Sequence, residues 1–138
     1  MKLVLDTNTV VSGLLWRNAP RLLMDAAVEG RIELAASAAL VNELTRVITR
    51  AKFARKLAEQ GLTPQALVDR YAKLAKPVTP ASIRRTVPKD ADDDAVLACA
   101  LAAQADFIVT GDAHLLNMKR YHGMRIIDAA QALRSLAQ

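Results

Sequence analysis

The chain reads as an α/β protein, a single-domain three-layer α/β/α fold with a mostly parallel five-stranded sheet. Three observations predict it. Short apolar runs alternate with helix-length segments, the pattern of strands joined by crossover helices. The runs Lys2-Leu3-Val4-Leu5 and Phe107-Ile108-Val109 are apolar at successive positions, as strands buried on both faces are. Each run also leads to an acid, Asp6 in one case and Asp112 in the other, and open α/β sheets place ligand sites at the carboxyl ends of their strands.

Taken in order, residues 2–6 read as strand, 8–16 and 19–29 as helices divided by Pro20, and 31–36 as a second strand. Helix then dominates over 37–50, 52–60 and 63–76; Gly61 separates the last two, and Thr63-Pro64 supplies a cap and a first-turn proline. A short third strand is expected near Val78, between Pro77 and Pro80. Residues 93–104, 107–110, 113–119, 125–127 and 128–137 complete the alternation as helix, strand, helix, strand and helix. If the chain winds outward from its first strand and returns to lay the 107–110 strand on the other side, a crevice opens between the two strand ends, flanked by Asp6 and Asp112.

At 138 residues with 52% apolar side chains, the chain suits one domain (1–138) with one well-filled core, which excludes a disordered protein. No run of about 20 apolar residues is present and the first residues enter a strand at once, so no membrane partner is expected and the expected compartment is the cytoplasm. The single cysteine, Cys99, excludes an internal disulfide and reads as a small core residue of an Ala-rich helix. Trp16, the sole tryptophan, falls at the end of the first helix, where core packing and partner contact both remain open.

Asp6 and Asp112 each have an ordinary explanation as helix caps, but like charges brought together repel unless a cation or proton offsets them. Two further acids bear on this. Asp90-Ala91-Asp92-Asp93-Asp94 opens an apolar helix, and three consecutive Asp exceed what capping uses. Asp92 is the expected cap; Asp94 is favoured for the site because it shares a helical face with Ala98 and Leu101, with Asp93 the remaining candidate. Glu43 lies beside the inward stripe formed by Leu40, Val41, Leu44 and Val47. Carboxylate oxygens favour Mg²⁺ or Mn²⁺, whereas zinc would want histidines or cysteines at ligand spacing, and His114 and His122 stand alone. The scattered glycines form neither a nucleophile elbow nor a phosphate loop. A haloacid-dehalogenase-like phosphatase would want a second Asp two residues after Asp6, where this chain has Asn8; a catalytically idle interaction module would use the acids as caps alone.

The formal net charge is +5, and the bases are clustered. Arg46, Arg50, Lys52, Arg55 and Lys56 crowd one helical region; Arg84, Arg85 and Lys89 precede the Asp run; Lys119 and Arg120 follow Asp112. Basic ground beside an acidic pocket suits a phosphate backbone, with Arg46, Arg50 and Lys52 the candidate substrate-binding residues. With only 4% aromatic residues, backbone and shape contacts are expected to outweigh base stacking.

Leu5-Asp6-Thr7-Asn8, Ser37-Ala38-Ala39-Leu40-Val41-Asn42-Glu43-Leu44, Asp92-Asp93-Asp94-Ala95-Val96-Leu97-Ala98 and Val109-Thr110-Gly111-Asp112, in that order, resemble the PIN-domain fold of metal-dependent ribonucleases. The resemblance covers nearly the whole chain, which looks in particular like toxins of bacterial toxin–antitoxin pairs related to the VapC type. It implies an acidic quartet, here Asp6, Glu43, Asp94 and Asp112, as catalytic and metal-holding residues. Thr7, Asn8 and Thr110 match supporting polar positions, and the triple Asp leaves Asp93 in contention with Asp94. It further implies a second strand on the far side of the first, so that Glu43 and Asp94 reach in from the helices that follow. The implied activity is RNA hydrolysis that leaves a 5′-phosphate and a 3′-hydroxyl. The implied partners are RNA, a second copy of the chain and a cognate antitoxin, for which Leu22-Leu23-Met24 and residues 54–67 offer an apolar seam.

Overall fold

The computed structural model describes residues 1–84 and 91–137; Arg85, Lys89 and Asp90 lie outside them. Its elements are β1 (Lys2–Leu5), α1 (Thr7–Leu15), α2 (Ala19–Val28), β2 (Glu33–Ala36), α3 (Ala38–Ile48), α4 (Ala54–Gln60), α5 (Pro64–Leu74), β3 (Lys76–Pro77), α6 (Ala91–Ala103), β4 (Phe107–Val109), α7 (Ala113–Met118), β5 (Arg120–Tyr121), β6 (Met124–Ile127) and α8 (Ala129–Leu136). A 3₁₀ turn, Ala51–Phe53, joins α3 to α4.

The sheet runs β3-β2-β1-β4-β6-β5 and is parallel at every junction except β5–β6. Alternation along β1 sends Leu3 and Leu5 into one core and Val4 into the other. Helices α1 to α5 and α8 contribute to the first core, and α6 and α7, with Leu40 of α3, to the second, which is the expected three-layer arrangement. Beta-1 lies between β2 and β4, so the chain reverses its winding direction at the β1–β4 junction. Among the described residues no helix is long and apolar enough to cross a membrane.

Among the described residues the sheet has six strands where five are expected. The addition is β5, which pairs antiparallel with β6 through the two-residue turn His122-Gly123. Both turn residues have positive φ, +48° and +82°, as a type I′ hairpin requires, and Gly123 takes that conformation without the cost of a Cβ. His122 therefore turns the chain. Beta-3 also falls slightly earlier than expected: Lys76 and Pro77 pair with Ala35 and Ala36, and the Val78 amide continues the ladder by donating to the Ala36 carbonyl at 3.0 Å. Pro77 is tolerated because β3 closes that edge of the sheet.

Local capping follows the sequence closely. Thr63 accepts from the Ala66 amide at 3.1 Å with Pro64 behind it, and Gly61 ends α4 with φ +64°. Asp128 and Gln131 form a reciprocal capping box on α8. Leu23, Met24, Leu57 and Leu67 are buried in the core, whereas Leu22 and Val28 remain exposed.

Helices α1 and α2 approach each other closely at Gly13. A Cβ there would sit 2.8 Å from the Met24 methyl, 3.0 Å from the Pro20 carbonyl carbon and 3.1 Å from the Arg21 amide nitrogen. The Arg21 guanidinium secures the same junction by donating to the carbonyls of Gly13 at 2.5 Å and Leu14 at 2.9 Å, at the negative end of α1. Gly13→Ala is therefore expected to destabilise the fold by about 1–2 kcal/mol, because overpacking against backbone outweighs the gain in helix propensity. Thermal denaturation checks this, and an unchanged or higher melting temperature would show that α2 yields.

Candidate active site

Asp6 follows directly from β1 and N-caps α1. Its Oδ1 accepts from the Thr9 amide at 2.9 Å, and its Oδ2 accepts a short hydrogen bond from the Thr110 hydroxyl. Thr110 follows β4, the neighbouring strand, and is 1% exposed. Its amide donates to the Ile127 carbonyl at 3.0 Å, and its hydroxyl oxygen also accepts from the Asp112 amide at 2.9 Å. One threonine thus ties both strand-ending acids to the sheet. Asp112 caps α7, its Oδ1 accepting from the amides of His114 at 2.8 Å and Leu115 at 3.2 Å. The two acids that sequence alone could explain as caps are caps, and both also line a common cleft.

That cleft, of about 60 Å³, lies at the carboxyl ends of β1 and β4 and is lined by Asp6, Thr7, Asn8, Glu43, Asp92, Asp93, Val96 and Asp112. Glu43 is held in place from α1, where the Thr7 hydroxyl donates to its Oε2 at 2.6 Å. Helix α6 supplies Asp93 and Val96, one turn apart on the same face. Asp94 is half-buried and does not line the cleft; Asp93 does, and is 7% exposed. Asp92, suggested by sequence as the cap of α6, lies within the helix, which begins at Ala91, and belongs to the cleft wall. An Arg46 guanidinium nitrogen lies 3.5 Å from the Asp92 Oδ1, an exposed pair at the rim. Arg50 and Lys52 are exposed and do not line the cleft.

Among the described residues, five acids and no lysine or arginine line this space. Asp6 and Asp93 are nearly fully buried, and buried carboxylates are costly unless paired or coordinated. An all-oxygen donor set with room for an ion and a few waters fits a hard divalent cation. Among the described residues no three or more His, Cys, Asp or Glu side chains stand close enough together to hold a metal ion by themselves. Mg²⁺, which retains several waters and uses few protein ligands, would have to be held here partly through water.

Elsewhere, Cys99 is the small core residue that its setting suggests. Burial pushes its thiol up to about 11 despite hydrogen bonding to Ser37, so it stays protonated near neutrality. Burial likewise raises the Tyr71 phenol.

A reversed-winding parallel sheet with an acidic cleft at the reversal defines an α/β protein of the open-sheet class, the class in which ligand sites fall at such reversals. The chain belongs to the PIN-domain family, whose sequence model matches residues 2–114. Its fold is similar to that of a chain in the crystal structure of VapBC2 from Rickettsia felis bound to a DNA fragment from their promoter. The TM-score is 0.59 at 15% identity, over 91% of this chain and 97% of that one. No curated protein matches the sequence.

Proposed function

We propose that this PIN-domain protein is a divalent-metal-dependent endoribonuclease that acts as the toxin of a toxin–antitoxin pair. The observation that carries the reading is the convergence of Asp6, Glu43, Asp93 and Asp112 from four separate elements on one small acidic cleft. Asp6, Asp93 and Asp112 would hold Mg²⁺ or Mn²⁺ directly or through water. The bound ion would supply Lewis-acid stabilisation of charge at the attacked phosphate and lower the pKa of a bound water.

The chain's own residues supply the rest. Glu43, whose Oε2 accepts from the Thr7 hydroxyl, would orient the attacking water and take its proton. Thr110 would hold the Asp6 carboxylate and the Asp112 backbone in a fixed relation, so that little reorganisation would accompany the reaction. Asn8 and Arg46 flank the cleft where a phosphate oxygen would lie. Water attack in line with the departing 3′ oxygen breaks the phosphorus–oxygen bond and leaves a 5′-phosphate and a 3′-hydroxyl. The net charge of +5 favours RNA and also an acidic antitoxin, and the active form is proposed to be a cytoplasmic homodimer.

Incubation of the purified protein with single-stranded RNA and Mn²⁺ or Mg²⁺ should yield 5′-phosphorylated fragments, and chelator should stop the reaction. Cleavage that persists in chelator would discard the metal mechanism. No cleavage with any divalent ion would favour an idle interaction module of the same fold.

A further inference from the structure

Two of the chain's few aromatic residues meet at the far end of α1 from the cleft. Trp16, the residue that caps α1, is 41% exposed, and Phe53 packs edge-on against it with ring centroids 6.2 Å apart. Lysines cover both rings: the Lys56 ammonium is 5.7 Å from the Trp16 centroid, and that of Lys52 is 5.1 Å from Phe53. The pair is firmly mounted. Phe53 packs against the main core, and the Gln60 side chain donates to the Leu15 carbonyl at 2.6 Å, joining α4 to the end of α1. Beside Trp16 opens a groove of about 590 Å³, whose walls include Arg17, Lys56 and Arg70. Among the described residues the cleft offers about 60 Å³ and acids as its charged groups, so the two spaces differ in size and in sign.

The topology connects them. Alpha-1 begins at Thr7, hydrogen-bonded to Glu43 in the cleft, and ends beside Trp16, packed on Phe53. Residues 43–53 must therefore run alongside the whole length of α1, from cleft to aromatic pair. That stretch carries Arg46 at the cleft rim and then exposed Arg50 and Lys52. Bases along a path, ending on an exposed ring beside a cationic groove, form the arrangement that holds single-stranded nucleic acid: cations follow the phosphates and a ring stacks a base.

We infer that Trp16 and Lys56 form a second RNA-binding site, which stacks an unpaired base of the strand and holds its phosphate at a distance from the bond that is cut. The identification of the nucleic acid as RNA rests on the ribonuclease reading; the stacking site rests on its own geometry. Lys56 also lies 3.9 Å from Glu59, an exposed carboxylate that phosphate would displace as its partner.

The sole tryptophan is its own reporter. Wild-type protein in chelator is titrated with end-labelled single-stranded RNA oligonucleotides of increasing length; anisotropy of the label gives affinity, Trp16 emission gives contact, and a gel gives RNA integrity. Long oligonucleotides should quench Trp16 and bind more tightly than those just long enough to cross the cleft. Trp16→Ala should weaken long-oligonucleotide binding about tenfold and remove the length advantage, while Trp16→Phe should keep most of it. Lys56→Gln should reduce the salt slope of binding by about 0.7, one phosphate's share on a single strand. Because this variant keeps the ring, it tests the site even if Trp16→Ala does not fold.

Unchanged Trp16 emission at RNA saturation overturns the inference, as does a Trp16→Ala variant that binds long RNA as tightly as wild type. If the same substitution instead changes the sedimentation of the free protein and leaves RNA binding untouched, the face is a protein contact and the inference is equally overturned. RNA cut in chelator would count against the metal-dependent reading, and quenching by long RNA would still support the stacking site.

Discussion

Asp93→Asn is expected to lower RNA cleavage by about a hundredfold or more while leaving the fold intact, and Asp94→Asn to change it only severalfold. Disturbing groups that merely orient a metal's ligands costs about 10–100-fold, so loss of a direct ligand should cost at least the upper end of that range. The two residues are adjacent in sequence but point in different directions around α6, and it is Asp93 that reaches the cleft lined by Asp6, Glu43 and Asp112. Initial rates on one RNA substrate at saturating Mn²⁺, with circular dichroism to verify folding, check the pair. An active Asp93→Asn beside an inactive Asp94→Asn would return the role to Asp94.

Millimolar Mn²⁺ should raise the melting temperature by several degrees. An ion that binds only the folded state stabilises it by about 2.7 kcal/mol at a hundred times its dissociation constant. Without the ion, buried Asp6 and Asp93 face the same small space with Glu43 and Asp112, and their repulsion opposes folding. Asp93→Asn should accordingly raise the melting temperature in chelator and shrink the Mn²⁺ response. Calorimetry on both proteins with and without Mn²⁺ decides; equal melting temperatures for wild type in the two buffers would mean that the carboxylates do not share an ion.

Much of this was legible from pattern. The apolar runs of β1 and β4 mark central strands because both of their faces are buried, and the acids after them fall at the sheet reversal. Glu43 could be placed beside an inward stripe because α3 is amphipathic. Alpha-6 gives no such guide. Val96, Leu97, Ala98, Cys99 and Ala100 are all buried, so the helix is apolar nearly all round and its sequence does not reveal that Asp92 and Asp93, and not Asp94, line the cleft. Beta-5 escaped detection because a two-residue strand carries almost no periodicity, and its turn uses His122 in the conformation usually taken by Asn or Gly. Trp16 and Phe53 are far apart in sequence and low aromatic content argues against stacking, so only the packing of α4 against the end of α1 brings the rings together.

The hydrogen bond from Thr110 to Asp6 spans 104 positions of sequence and has a temporal meaning. Ribosomes add about 5–20 residues per second, so β1 waits roughly 5–20 s for the strand that completes the cleft beside it. Through that interval the nascent chain carries Asp6 and then Glu43 without Thr110 or Asp112, so the Asp6 carboxylate has its cap contact to the Thr9 amide but not its second anchor, and the acidic ring cannot close. Pairing between distant strands adds a further delay after synthesis. On the ribonuclease reading, the site would therefore stay incomplete while the chain is being made, and an unfinished copy on its ribosome would leave its own message uncut.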